Sequence, residues 1–459
     1  MRRAIRFGRS LGLTGQFFDN ICLLVADLME ESYPHLKDSR ELLGKVVSNE
    51  ESRFGETLDN GLAILSDEIE RLTAGGDFSA RISGEFIFKL YDTFGFPVDI
   101  VRDVALERGL AIDEAGFQSA MEAQREQSKR SWKGSDVDHL EAGVIELLKQ
   151  DVDCEFAGYK GKNTASTAAG IINGAGQLVE KAATGETVKI FCPQTTFYAE
   201  AGGQVGDTGF ITGPNGLVEV FNTRKIADRL ILHEGKVTEG YISRGDKVEL
   251  SVTSRRRNDI ALNHTATHLL HAAMKEILGD HIKQAGSLVE EERFRFDFTH
   301  FTPLTAEEMN RIEQRVNECI RGNMAVSTAL QSRDQAVAEG ATALFGEKYG
   351  DEVRVVSIGS VSKELCGGTH VRATGDIGFF KILSETGIAA GVRRIEAVTG
   401  ERAVSWAQEL AGQAARVSEL ISAPLSMAPE KITALLRQQK NLEKKVAELT
   451  SKLALADLD

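Results

Sequence analysis

Two short motifs, far apart in the chain, restrict its fold more than any other feature: His264-Thr265-Ala266-Thr267-His268 and Cys366-Gly367-Gly368-Thr369-His370. On a helix, the i, i+4 spacing of His264 and His268 puts both imidazoles on one face, one turn apart. Cys366 and His370 follow an apolar, strand-like run, and the two glycines between them let the backbone turn sharply. Three imidazoles and a thiolate make a tetrahedral zinc set. The chain is therefore expected to fold so that both segments meet around one ion. Taken alone, a His pair on an amphipathic helix is as often a core-edge pair, and a free cysteine is commonly an inert buried thiol. The four residues together carry the zinc expectation. His271 lies three residues after His268 and is able to face the same site, while Leu269, Leu270, Ala272 and Ala273 mark the helix as mostly buried. The helix lacks the Glu that zinc proteases carry directly after the first His, which argues against a protease. A zinc hydrolase of another kind would need a carboxylate base near the histidines, and the sequence offers none at motif spacing.

The 459 residues have room for about three domains of ordinary size. A hydrophobic share of 42% and a charged share of 27% fit a soluble globular protein. The net charge of -14 argues against nucleic acid only in bulk, because local patches decide contacts. Five scattered cysteines form no disulfide framework and point to a reducing cytoplasm. No apolar run reaches membrane length, and Met1-Arg2-Arg3-Ala4 is not followed by the apolar stretch of a leader.

The fold class read from the chain is multidomain α+β. Residues 1–138 read as helical. Phe17 to Met29 and Leu58 to Leu72 carry apolar residues at spacings of three and four, and Gly95-Phe96-Pro97 is a turn. Ser48 to Glu56 reads as an exposed helix start, Gly75-Gly76 as a break, Gln118 to Trp132 as a charged helix and Gly134-Ser135 as linker. Residues 139–255 read as a small β-barrel, with strands at Thr187–Phe191, Val218–Phe221 and Lys247–Val252. The run Phe197 to Gly209 reads as a glycine-rich hairpin, since no helix start follows to make a phosphate cradle. Residues 256–405 read as an α+β domain holding the zinc helix (256–278), a strand with alternating Phe294, Phe296 and Phe298, a helix from Thr305 to Gly322, and strands at 353–358 and 378–383. Residues 406–459 read as helical, with a heptad through Ile432, Leu435, Gln439, Leu442, Val446, Leu449, Leu453 and Ala456 able to form a coiled coil.

These pieces resemble the alanyl-tRNA synthetase family. The matching segments are Arg2 to Arg6, Leu90 to Pro97, Phe197 to Gly209, Asn263 to His271, Arg295 to Phe298 with His300, Cys366 to His370, and Gly391 to Ala397. The likeness runs along essentially the whole chain. The paired zinc motifs and the Gly202–Gly209 run are specific to this family and its freestanding editing relatives, which lack a helical region like 1–135. The resemblance implies a piece of a synthetase in which Met1 falls near the end of the aminoacylation domain. That domain, with its ATP and alanine sites, and the terminal domain after the coiled coil are expected to be absent, so that ATP would serve only the parent protein. The capacities implied for this chain are recognition of the tRNA(Ala) acceptor stem and zinc-dependent hydrolysis of tRNA(Ala) mischarged with serine or glycine. Other readings are a tRNA-binding module without catalysis and an unrelated zinc hydrolase.

By the same resemblance one Zn2+ is held by His264, His268, Cys366 and His370, and Cys366, Gln284 and Thr267 are the catalytic candidates. Gln284 matches an editing-pocket position. Thr267 and Thr265 are placed to bond a serine hydroxyl, although both are equally able to bond their own helix backbone. Arg2, Arg3, Arg6 and Arg9, Arg255 to Arg257, and Arg393 with Arg394 are candidates for phosphate contacts, which would make binding salt-dependent. Asp99 and Asp113 are candidates for reading a G·U pair from the minor groove. A homodimer through the C-terminal helix and a cytoplasmic location complete the expectation, with no membrane partner.

Overall fold

Apolar residues recurring every three to four positions make the first unit of the chain, Met1–His139, helical as predicted. The computed structural model describes residues 1–13, 15–74, 81–131, 140–150, 152–227, 229–343, 350–389 and 391–456. The Gly75-Gly76 break and the Gly134-Ser135 linker lie outside them. In chain order the first unit holds α1 (Arg2–Ser10), α2 (Phe18–Met29), α3 (His35–Asp38), α4 (Arg40–Thr73), β1 (Arg81–Ile82), α5 (Gly84–Phe94), α6 (Val98–Glu107), β2 (Ala111–Ile112) and α7 (Glu114–Ser131). Its core gathers Ile5, Phe54, Leu58, Leu65, Ile87, Phe96 and Ile100. The turn after α5 is set by Gly95, whose φ of 68° is the left-handed conformation a helix C-terminus favours. One expectation is corrected. Ser48 to Glu56 is not an exposed helix start but the interior of α4. Glu51 is 4% exposed because its carboxylate accepts the backbone N–H groups of Phe17 and Phe18, the orphan donors at the start of α2.

The second unit, Leu140–Asp459, opens with α8 (Ala142–Lys149), a helix inside the stretch read as all-β. Val144 and Leu147 of α8 pack on Ile172, Phe191 and Leu232. Then come β3 (Glu155–Phe156), β4 (Asn163–Thr167), β5 (Gly170–Asn173), β6 (Lys181–Ala183), β7 (Thr187–Phe191), β8 (Gln194–Thr195), β9 (Gly209–Thr212), β10 (Gly216–Ile226), β11 (Leu230–Ser243) and β12 (Lys247–Val252). Eight of them form one curled antiparallel sheet in the order β4-β12-β9-β10-β11-β7-β5, with β6 on β11. Ile190, Val218, Val220 and Leu250 fill its core, as strand alternation predicts.

The remainder holds α9 (Ser254–Leu278), β13 (Gln284–Val289), β14 (Phe294–Thr299), α10 (Ala306–Arg321), β15 (Val326–Ser332), α11 (Arg333–Ala338), β16 (Glu352–Ile358), β17 (Ser362–Leu365), β18 (Phe380–Ala389), β19 (Val392–Thr399), α12 (Gly400–Ile421) and α13 (Ala428–Ala456). A four-stranded sheet, β13-β14-β19-β18, packs its phenylalanines Phe294, Phe296 and Phe298 with Leu269, Leu270 and Met274 of α9. Thr305 starts α10 with a capping box to Glu308. A three-stranded sheet, β15-β16-β17, ends one residue before Cys366; β15, α11 and β17 are elements that the sequence reading did not contain. The boundary drawn at residue 405 falls inside α12. Along α13 the heptad residues Ile432, Leu435, Leu442, Val446 and Leu449 are 42–61% exposed. Among the described residues no helix is long and apolar enough to cross a membrane.

Candidate metal centre and hydrolytic pocket

The buried face of α9 presents His264 and His268, whose rings lie parallel with centroids 5.3 Å apart. Cys366 follows the end of β17, and the turn after it returns His370 to the same point. One ligand atom from each of the four residues lies within 4.8 Å of the others. Cys366 Sγ is 3.4 Å from His264 Nε2 and 3.3 Å from His370 Nε2. Zinc bonds of about 2.3 Å to sulfur and 2.0–2.1 Å to nitrogen, at a tetrahedral angle, set those atoms about 3.5 Å apart.

The hydrogen-bond partners agree with this. His264 Nδ1 donates to Gln204 Oε1 at 2.8 Å, and that oxygen also accepts Thr369 N–H at 2.9 Å. His268 Nδ1 is 2.9 Å from Glu364 Oε2. His370 Nδ1 lies 3.1 Å from Thr265 Oγ1, whose own proton goes to Ala261 O at 2.9 Å. Each ring thus has an oxygen partner at Nδ1 and turns Nε2 inward, the arrangement of a metal-bound histidine. Among the described residues His268 Nε2 is buried without a hydrogen-bond partner. Burial pushes the Cys366 thiol up, but the imidazoles of His264, His370 and His268 outweigh it and hold the group well below its ordinary value. Burial, reinforced by His264, pushes His370 down to about 3, so its ring is neutral. Burial pushes His268 down too, but Glu364 and Cys366 outweigh it and raise the ring to about 10. A zinc site needs a thiolate and neutral imidazoles, so an ion bound there would displace the His268 proton.

Two residues that hold the ligands went unread in the sequence. Gln204 comes from the glycine-rich run, which is not a free hairpin: Gln204 is fully buried, and Gly203 passes Ser287 so closely that a Cβ would lie 2.6 Å from its carbonyl oxygen. No spacing rule marks such an amide. Glu364 is the carboxylate that the sequence reading found missing beside the histidines. It stands two residues before Cys366 on an extended segment, so strand alternation puts both on one side; that signal was present. Glu364 also takes His271 Nδ1 at 3.3 Å, which makes His271 a neighbour of the site and not a ligand. Gly368 is required by contact, since a Cβ there would lie 2.0 Å from the His264 ring.

A cavity of about 220 Å³ opens beside the ligands, lined by Thr267, Gln284, Ser287 and Tyr198 as well as His264, His268 and Cys366. Thr267 donates its proton to Asn263 O at 2.9 Å and keeps acceptor capacity only. Thr265 supports His370 and accepts Val371 N–H, so the expectation that it meets a substrate hydroxyl is corrected.

The arginines expected to form basic patches face carboxylates. Arg6 is buried between Asp103 and Glu107, each at 2.8 Å, and is a strut of the helical unit instead of a surface cation. Arg2 pairs with Glu50 at 2.9 Å and Arg3 with Asp103 at 3.5 Å, their side chains 50% and 61% exposed. Arg9 pairs with Asp59, Arg393 with Glu385, and Arg394 with Asp297 at 2.7 Å. Arg255 meets Glu401 at 2.6 Å, Arg256 meets Glu291 at 3.0 Å, and Arg257 is buried on Asp207. Asp99 lies in the first turn of α6, and Asp113 accepts Gly116 N–H at 3.0 Å at the start of α7.

Residues 1–256 match the family described as tRNA synthetases class II (A), and residues 353–396 match the threonyl and alanyl tRNA synthetase second additional domain. The chain is 46% identical over 459 residues to the alanine–tRNA ligase of Desulfosudis oleivorans, covering 100% of this chain and 52% of that protein. It is 44% identical over 455 residues to that of Nitratidesulfovibrio vulgaris (98% and 52%) and 45% identical over 456 residues to that of Pseudoalteromonas translucida (99% and 51%). The chain thus spans about half the length of the curated relatives it matches. The expectation that the synthetase domain would be lacking is overturned by the match over residues 1–256. On that match, which covers more than half of its residues, the chain belongs to the class II (A) family of tRNA synthetases.

Proposed function

We propose that this chain is part of an alanine–tRNA ligase that joins alanine to tRNA(Ala) with ATP, and that its cavity hydrolyses tRNA(Ala) mischarged with serine or glycine. The observation that carries the hydrolytic reading is the meeting of four ligand atoms on the wall of a 220 Å³ cavity, within a region partly matched by the second additional domain. A cavity of that size is below the span of about 300–1,000 Å³ usual for drug-sized ligands, which suits an aminoacyl ester and not a whole nucleotide.

His264, His268, Cys366 and His370 would hold a zinc ion, which when bound supplies a Lewis acid able to orient and polarise an ester carbonyl. Thr267 Oγ1 is open to accept a hydrogen bond from a serine hydroxyl, and Gln284 reaches the same space with an amide. Alanine would leave these groups unpaired. A hydroxyl-bonding site rejects the analogue lacking the hydroxyl far more strongly than the ~1–3 kcal/mol that one methyl provides. Arg2 and Arg3, the most exposed of the α1 arginines, are proposed for phosphate contact, and Asp99 and Asp113 for the acceptor stem. The exposed seam of α13 is proposed as a homodimer contact, and the five free cysteines support a cytoplasmic location.

The test is to strip the metal, titrate zinc back, and follow serine release from Ser-tRNA(Ala). Activity should track zinc occupancy and be lost in Cys366→Ala. Full hydrolysis by folded, metal-free protein would overturn the zinc-dependent reading. Zinc binding without any hydrolysis would favour a tRNA-binding module.

A further inference from the structure

The turn that carries Cys366 is held from outside the metal site. Three consecutive carbonyls, those of Cys366, Gly367 and Gly368, all find donors on two side chains. Arg354 Nη1 of β16 donates to Cys366 O and to Gly368 O, each at 2.9 Å. The hydroxyl of Tyr159, in the loop after β3, donates to Gly367 O. The Arg354 guanidinium stacks on the Tyr159 ring, its carbon 4.1 Å from the ring centroid. Cys366 N–H in turn donates to Arg354 O at 3.0 Å. With these carbonyls drawn to one side, the Gly368 amide is left facing Cys366 Sγ at 3.4 Å.

We propose that Tyr159 and Arg354 act together as positioning residues that fix the sulfur donor of the metal centre. The inference rests on the proposed zinc site and adds the pair that places its thiolate. The geometry needs a planar fork. One guanidinium bonds two carbonyls and stacks on an aromatic face together, which a lysine ammonium does not reproduce. It also needs a hydroxyl on the ring, since among the described residues Tyr159 is the one that reaches the middle carbonyl of the turn. Tyr159 is 48% exposed, so removing its hydroxyl leaves the core unchanged. The pair joins two parts of the second unit, because Tyr159 belongs to the stretch that leads into the eight-stranded sheet and Arg354 to the three-stranded one.

The test uses the full chain, with zinc affinity measured by chelator competition and the thiolate-to-metal absorption band recorded on the cobalt-substituted protein. Arg354→Lys should weaken zinc binding about 10–100-fold, the usual cost of losing a group that orients a metal ligand, and should diminish or shift the band. Tyr159→Phe should act in the same direction and less strongly. The double variant should lose less than the product of the two, because both act on one turn. A role in stability alone would lower the melting temperature with zinc affinity intact. Variants that fold normally and bind zinc within about twofold of the parent, with an unaltered band, overturn the proposal. Should Arg354→Lys fail to fold, Tyr159→Phe decides. Zinc binding without serine release in the parent chain would end the hydrolytic reading and leave this inference standing.

Discussion

His233 in the eight-stranded sheet and His268 on α9 are both buried histidines of the same unit, 0% and 5% exposed, yet they do different work. His233 has both nitrogens satisfied by its own chain: Nδ1 donates to Ile190 O at 2.8 Å, and Nε2 accepts from Thr195 Oγ1 at 2.7 Å. His268 has one nitrogen on Glu364 and the other bare. His264 and His370 repeat the pattern, each with Nδ1 on an oxygen and Nε2 turned to a common point. Burial and residue type do not separate a ligand from a strut. An open nitrogen alone does not either, since His271 Nε2 is likewise buried without a partner among the described residues. What marks the ligands is that His264, His268 and His370 meet Cys366, one ligand atom of each within 4.8 Å of the others.

The largest effect should come from the open set. Cys366→Ala should lower serine release from Ser-tRNA(Ala) by about 100–1,000-fold, the scale of removing a preorganised electrostatic group, and metal analysis should find the zinc gone. An active, metal-free variant would erase the distinction between the two regions. The closed histidine should instead show itself in stability. Burial pushes His233 from 6.5 down to about 4. The unfolded chain therefore takes up this proton first as the pH drops. Stability should be fully present above about pH 6.5 and fall by about 3 kcal/mol on the way to pH 4, two and a half units at ~1.4 kcal/mol each. Urea melts across this window, with and without His233→Gln, read the difference; parallel curves would mean His233 is not the strut described.

Gln204→Ala should weaken zinc binding about 10–100-fold and leave the fold intact. It removes the oxygen that fixes the His264 ring and replaces none of the four ligands. Unchanged affinity would show that the open lone pairs need no orientation. The smallest effect is expected far from both regions. Leu442→Ala on the exposed face of α13 should change the unfolding free energy by less than about 0.5 kcal/mol in dilute protein. A larger loss that grows with concentration would point to the proposed dimer contact.

Much of the site was legible because it is written in local periodicity. The i, i+4 spacing placed His264 and His268 on one face of a helix that the structure runs from Ser254 to Leu278. Alternating phenylalanines marked β14, and Thr305 with Glu308 marked the start of α10. What was misread involved partners distant in sequence. Ser48 to Glu56 looked like solvent-facing polarity, but Glu51 caps a helix more than thirty residues upstream. Arg6 looked like a cation for RNA, but Asp103 and Glu107 are brought to it by α6. The roles of Gln204, inside the Gly202–Gly209 run, and of Arg354 follow from no local pattern, since they exist only once three sheets and a helix have met.

The sequence by itself determined the donor chemistry of this protein, its helical first unit and its strand-rich middle, because backbone sterics and hydrophobic period act over a few residues and are printed in their order. Tertiary structure alone decided which charges are free, which histidine nitrogens stay open and which distant oxygens orient them. Those outcomes depend on burial and hydrogen-bond partners supplied by other segments, and in a low-dielectric interior a partner's presence or absence, not the residue's name, sets its chemistry.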